Sequence, residues 1–403
     1  MNRMIRILFL SVLAVFLGSL SSPVHAQTDN SPFPSLQTEP QTKAPPLTNQ
    51  EFVRMLYQLP ANPSMRERLV QDLRTRGINF QVTEGLRSLV ATKSGNDSLL
   101  RHTLEEAERR RANPTSTTAR LPSMAEATEL LERTRKATLG AAQSMPDYLV
   151  KQQITRSHAL GQTNNWVVYD RLSIAVSYRQ SAGEQYKLLS VNGMPPGEEE
   201  AEGSGYGKKL GGTTSSGEYV SMLADLFDPR TRAEFQPVDT DTIRGHSTIV
   251  YEYVVKQEFS RQTLSWSASL TSPEVHAVVG YRGRIWVDRE TNRVLRLEDV
   301  SSEIPLGFPI TAASSVIDYD LVTINEQSHL LPSRAVIELS DHLGQQSEQT
   351  RNDILFRGYR KFGAEVKITD IDDKDFPPDK PEEQEPKPTS PPALKPQVKK
   401  PDQ

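Results

Sequence analysis

The chain of 403 residues contains no cysteine. That excludes disulfide staples, thiolate metal sites and the lipobox cysteine of a bacterial lipoprotein. Beyond the first twenty or so residues, no run is apolar enough to span a bilayer. Charge of one sign is also lacking, with 47 Lys and Arg against 51 Asp and Glu. That balance argues against nucleic acid, which needs a basic face, and against strong electrostatic attachment to anionic lipid. Catalytic signatures are missing too. There is no Gly-x-Ser-x-Gly, no His-Glu-x-x-His and no phosphate-binding glycine loop. Gly203-Ser204-Gly205-Tyr206-Gly207 is glycine-rich but lacks the strand-to-helix setting that phosphate binding needs.

What is present begins with an address. Arg3 and Arg6 make a basic start, and residues 7–20 form an apolar core too short for a comfortable span. Ser21-Ser22-Pro23 ends that core, and Val24-His25-Ala26 puts small residues at −3 and −1 of a cleavage site. Residues 1–26 read as a secretory signal peptide, so the mature chain is expected in the periplasm or outside the cell. Without disulfides it needs an ordinary hydrophobic core.

Residues 27–46 are rich in Pro, Thr, Ser and Gln and read as a disordered linker. Residues 371–403 read as a disordered tail. Nine of the last 27 residues are proline, which favours extended polyproline II.

Residues 47–143 read as a small helical module. Thr48-x-x-Glu51 and Ser123-x-x-Glu126 are capping boxes, and Thr83 and Asp97 stand at two further helix starts. Apolar residues follow at helical spacing: Phe52, Leu56, Leu69, Leu73, Leu86, Val90, Leu100 and Leu104. Arg109, Arg110 and Arg111 read as a solvated helix end.

Residues 144–370 read as a large antiparallel sheet. The clearest hairpin is Gly283-Arg284-Ile285-Trp286-Val287-Asp288, the turn Arg289-Glu290-Thr291-Asn292, and the return Arg293-Val294-Leu295-Arg296-Leu297-Glu298. Alternation puts Leu172, Ile174 and Val176 on one face, likewise Tyr251 and Tyr253, and Ile285 and Val287. Residues 197–216 read as a mobile gating loop. They feed a short helix at 217–227, whose stripe includes Val220, Leu223 and Phe227. Trp286 falls on the polar face, where it reads as covered by a neighbouring strand or by the helical region, with a partner contact as the alternative.

These segments carry a resemblance. Tyr148-Leu149-Val150-Lys151-Gln152, the run from Tyr186 to Gly193 and Ile285-Trp286-Val287-Asp288 resemble the half-barrel of periplasmic lipoprotein carriers and of the sigma-E regulators' N-terminal domain. The β region is also similar to a family of uncharacterised secreted bacterial proteins, through Phe308-Pro309-Ile310, His329-Leu330-Leu331-Pro332 and Phe356-Arg357-Gly358-Tyr359. The resemblance implies an α+β fold with a curved antiparallel sheet and a helix against its concave face.

The expected function is non-enzymatic binding of an acyl chain or lipidated polypeptide between sheet and helix. The residues expected to line the site are Leu172, Ile174, Val176, Val220, Leu223, Phe227, Tyr251, Tyr253, Ile285 and Val287. No catalytic residue, metal or cofactor is expected. His158, His246, His276, His329 and His342 are isolated in sequence, Asp318 and Asp320 read as a solvent-facing strand edge, and the acidic cluster at Asp370, Asp372, Asp373 and Asp375 lacks the glycine of an EF-hand loop. The alternative is a structural scaffold that recruits envelope partners through the helical module.

Overall fold

The computed structural model describes residues 4–9, 44–62, 65–95, 97–112, 122–161, 165–197, 212–216, 220–268, 272–343, 346–363 and 367–376. Most of the expected signal peptide, linker and tail lies outside them, as does most of the 197–216 loop.

Four helices form the leading module: α1 (Asn49–Gln58), α2 (Met65–Arg76), α3 (Glu84–Lys93) and α4 (Ser98–Ala112). Their starts follow the capping residues. Thr48 accepts from the Glu51 amide at 3.2 Å, Thr83 from Leu86 at 3.3 Å and Asp97 from Leu100 at 2.7 Å. The module has its own apolar core, including Leu47, Phe52, Leu56, Leu69, Leu73 and Leu100. A fifth helix, α5 (Met124–Gln143), begins at the Ser123 cap. The sixth, α6 (Val220–Phe227), lies within the expected 217–227 helix.

The chain after α5 builds ten strands into one open antiparallel sheet. They are β2 (Tyr148–Leu160), β3 (Val167–Arg179), β4 (Gly183–Val191), β6 (Glu234–Ile243), β7 (His246–Val255), β10 (Gly280–Asp288), β11 (Val294–Ser302), β12 (Ile310–Ile324), β13 (Gln327–Leu343) and β14 (Gln346–Lys361). Their order is β4-β3-β2-β14-β13-β12-β11-β10-β7-β6. The edge strands β4 and β6 are not paired, so the sheet is not closed into a barrel. A second, four-stranded sheet has the order β5-β1-β8-β9, made of β1 (Met4–Phe9), β5 (Gly212–Ser216), β8 (Gln262–Ser267) and β9 (Val275–Val278). The fold class is α+β.

The β10–β11 hairpin forms as its sequence predicts. Asp288 organises the turn, accepting from the Glu290 amide at 3.1 Å and the Thr291 hydroxyl at 2.6 Å, and Asn292 takes the left-handed φ of 56°. Pro332 sits inside β13. A register shift between Asp318 and Tyr319 of the facing β12 accommodates it.

The apolar face of the large sheet carries the main core. It is covered by α5, α6 and the β8–β9 hairpin, through Ala127, Leu130, Leu223, Phe227, Leu264 and Ala277. Tyr251 donates to the Ala127 carbonyl at 2.7 Å, tying β7 to α5.

The opposite face is also covered, mostly by charge. Arg74 of α2 meets Glu298 of β11 at 2.6 Å, Arg66 meets Glu338 of β13 at 3.2 Å, and Arg109 meets Asp241 of β6 at 3.4 Å. Arg110 lies 2.5 Å from Asp239. Arg109 and Arg110, read as part of a solvated helix end, therefore belong to the seam, whereas Arg111 pairs with Glu108 on its own helix. Sign alternation gave no hint of the seam partners because they lie more than a hundred residues away.

Glu106 of α4 is fully enclosed here. Burial, with Asp241 and Glu298 nearby, pushes its carboxyl up to about 7 despite Arg74 and Arg296. Trp286 lies on this face, buried, and donates to Asp241 at 3.1 Å. Farther along, Ile371 and Phe376 pack on Leu149 and Ala175, so the first residues of the compositional tail are docked on the sheet.

Gly283 is the tightest point of the sheet. A Cβ there would lie 1.8 Å from the Glu298 carbonyl oxygen and 2.9 Å from the Tyr253 hydroxyl. Because the first obstacle is backbone of the paired strand, Gly283→Ala should destabilise the protein by about 3 kcal/mol or more. A urea midpoint within experimental scatter of the wild type would refute this packing.

Candidate functional site

The candidate site is the apolar face beneath α6. Alternation places Tyr251 and Tyr253 of β7, and Ile285 and Val287 of β10, on that face, and all four are buried there. Leu223 and Phe227 of α6 reach it from above. Phe227 stacks on Phe235 of β6 at 5.5 Å, Phe235 lies 6.1 Å from Tyr253, and Tyr253 lies 6.1 Å from Tyr281. This aromatic row marks where α6 rests.

Leu172, Ile174 and Val176 of β3 lie on the same face and in the same core. They do not join the aromatic row locally. Six strand steps separate β3 from β10 in the sheet order, or roughly 29 Å measured along the sheet. The ten expected residues thus mark one face with two ends. The side chain of Val220 lies outside the described residues.

Every described member of that set is closely covered. The exposures run from 0% for Ile174, Val176, Ile285 and Val287 to 3% for Leu172. In this structure the face is packed shut.

The sequence reading missed the polar groups under the cover. Asp299 of β11 is fully buried on the apolar side. It contacts the Tyr253 hydroxyl at 3.0 Å and accepts from Gln262 of β8 at 3.1 Å. Burial pushes its carboxyl up to about 7, against the opposing pull of those hydrogen bonds. A signal did exist, because Asp299 shares strand parity with the apolar Leu297.

A second polar set holds α6. Arg261 reaches Asp225 at 3.1 Å and Asp228 at 3.4 Å. Burial pushes Asp225 up to about 6, whereas hydrogen bonding from Arg230 holds Asp228 below the usual carboxylate range. These ionic contacts attach α6 at its C-terminal end.

Among the described residues, no group of three metal-ligating side chains occurs. His158 stacks on Tyr169, His246 meets Asp288 at 3.2 Å, and His276 meets Ser265 at 2.7 Å. Burial lowers the pKa of His329. Asp318 pairs with Arg296 at 3.1 Å, and Asp320 with Arg244 at 3.4 Å. In the acidic cluster, Asp372 and Asp373 meet Lys187 and Lys151 at 3.5 and 2.9 Å.

No family model matches the chain, and no curated protein matches it. Solved structures do match. A LolA superfamily protein from Nitrosomonas europaea is 13% identical, with a TM-score of 0.22, over 60% of this chain and 97% of that one. An outer membrane lipoprotein-sorting protein domain from Vibrio parahaemolyticus is 9% identical, with a TM-score of 0.26, over 59% and 92%. The MucA/MucB complex of Pseudomonas aeruginosa supplies a chain 9% identical, with a TM-score of 0.16, over 57% and 94%. The lipoprotein-carrier group that the hairpins resemble is thus among the similar structures. The fold class itself rests on the strand order described above.

The Asp299 carboxyl has a folded pKa above its unfolded value. Its stabilising contribution is therefore full below about pH 4 and is lost as pH rises through about 7. Asp299→Asn should gain on the wild type by as much as roughly 3 kcal/mol between pH 4 and pH 8, measured by urea unfolding. A difference that does not change with pH would contradict this assignment.

Proposed function

We propose that this chain is a non-enzymatic binding protein of the bacterial envelope that holds an apolar ligand between the sheet and α6. The observation that carries the reading is the way the apolar face is covered. Three separate pieces lie on it: α5, the eight-residue α6 and the β8–β9 hairpin. An eight-residue helix held by its buried apolar residues and a few ionic contacts is a cover that an apolar ligand could displace, and the residues beneath it are apolar. Each ligand methylene buried there would contribute about 0.8 kcal/mol. The site residues are Leu172, Ile174, Val176, Tyr251, Tyr253, Ile285 and Val287 from the sheet, with Val220, Leu223 and Phe227 from the helix. An acyl chain or a lipidated polypeptide suits such a face, and the expected signal peptide supports an envelope location where those ligands occur.

A second reading has its own support. The α1–α4 module has a separate core and seats on the sheet by ion pairs, as a recruiting module of a scaffold would.

Native mass spectrometry of the mature chain, taken from its own envelope, tests the first reading. The expected result is a co-purifying acyl species that is lost in Leu223→Glu and Phe227→Glu variants that keep their circular dichroism. A clean unliganded mass, with no uptake of a fluorescent fatty acid, would rule out lipid binding. Partner capture that vanishes when residues 47–112 are deleted would favour the scaffold.

A further inference from the structure

The small sheet contains an anomaly. Its second strand, β1, is Met4–Phe9, which falls inside the segment read as the signal peptide. It pairs antiparallel with β8 over six positions, from Met4 opposite Ser267 to Phe9 opposite Gln262. It pairs parallel with β5 over five, from Met4 opposite Gly212 to Leu8 opposite Ser216. If residues 1–26 are removed on export, the strand that joins β5 to β8 is absent from the mature protein.

Its loss would leave two strand edges facing each other across two strand spacings, about 9.5 Å, which is the room one strand needs. Among the described residues, β5 has no ladder partner other than β1. Neither edge is protected. Gly-Thr-Thr-Ser-Ser and Gln-Thr-Leu-Ser-Trp-Ser contain no proline and no charge, and no register shift interrupts their pairing with β1. Proteins normally blunt such edges with lysine, proline or a bulge.

The position is also built into the apolar face. Leu264 and Trp266 of β8 belong to the main core with Leu223 and Phe227. Thr213 of β5 is tied to the sheet by Asn352, which donates to its carbonyl at 3.0 Å, and by the Thr350 hydroxyl at 2.5 Å. Two polar atoms of β8, the Trp266 indole nitrogen and the Gln262 side-chain oxygen, are buried with no hydrogen-bond partner among the described residues. A bare slot beside them would add unpaired backbone groups, each costly when buried.

We infer that the gap between β5 and β8 is a strand-addition site for an extended, apolar segment of about six residues from another polypeptide. The inference rests on the binding reading above and names its ligand class as peptide backbone with alternating apolar side chains. Antiparallel pairing to β8 supplies the ladder. A strand seated there turns every second residue toward the face that holds Leu264 and Trp266, so those positions select apolar side chains. Strand addition also orders β5, the described end of the 197–216 loop, because β5 gains its ladder partner only then.

The test uses the mature chain from residue 27, after Edman sequencing of exported protein has located its first residue. The probe is a fluorescent peptide Met-Ile-Arg-Ile-Leu-Phe, beside the same peptide N-methylated at alternate residues and a fluorescent fatty acid. The plain peptide should bind, and the N-methylated peptide should bind roughly tenfold or more weakly, because it cannot complete the ladder. Amide exchange in 212–216 and 262–267 should slow on peptide binding and not on fatty-acid binding. Equal affinity of the two peptides, or unchanged exchange at 212–216, would overturn the inference. Fatty-acid binding without peptide binding would overturn it while leaving the broader binding reading intact. Retention of residues 4–9 in the exported protein would make β1 a resident strand and also end the proposal.

Discussion

An open sheet of ten strands has two broad faces, and covering both is the constraint on which this structure depends. One face is apolar and must be kept from water. The other carries arginine and carboxylate side chains that are mutually paired and then roofed by the helical module. The two covers differ in physical character. Apolar burial is non-directional and tolerates exchange of one apolar cover for another. An ion-paired seam needs each charge opposite its partner, and removing one partner strands the other in a place where desolvation is costly. The seam therefore fixes how the module sits, while the apolar side is held by non-directional burial.

Polar groups on the apolar side sharpen that contrast. Asp299, Tyr253 and Gln262 form a buried hydrogen-bonded set under the small sheet, while Arg261 holds the end of α6 through Asp225 and Asp228. Those ionic contacts add direction to a helix otherwise held by the burial of Met222, Leu223, Leu226 and Phe227. The β5–β1–β8 arrangement adds a second piece over the same face.

Much of the architecture was legible from local signals. Thr48, Thr83, Asp97 and Ser123 cap helices because a short polar side chain can satisfy a free amide wherever the chain begins to coil. Period-two alternation placed Tyr251, Tyr253, Ile285 and Val287 on the apolar face because strand geometry leaves no other choice. The turn at Asp288 was visible for the same local reason. Less was legible about the site. Asp299 was legible only through its strand parity with the apolar Leu297, and Arg109 looked like solvated charge because its partner Asp241 is far along the chain. The short strand at 212–216 was read as loop because its Gly-Thr-Thr-Ser-Ser composition offers no periodicity and its partner comes from residues 4–8.

The sequence by itself determined most of the elements, their faces and the α+β class, since capping, alternation and turn chemistry act over a few residues. Only the tertiary structure decided that β10 lies beside β7, that β3 and β10 stand six strands apart, and that the helical module covers the charged face. It also decided that a Cβ at Gly283 is crowded, because it meets the Glu298 carbonyl only once β10 and β11 are paired. Those outcomes depend on partners brought together across hundreds of residues, and no local pattern encodes which distant strand or charge will arrive.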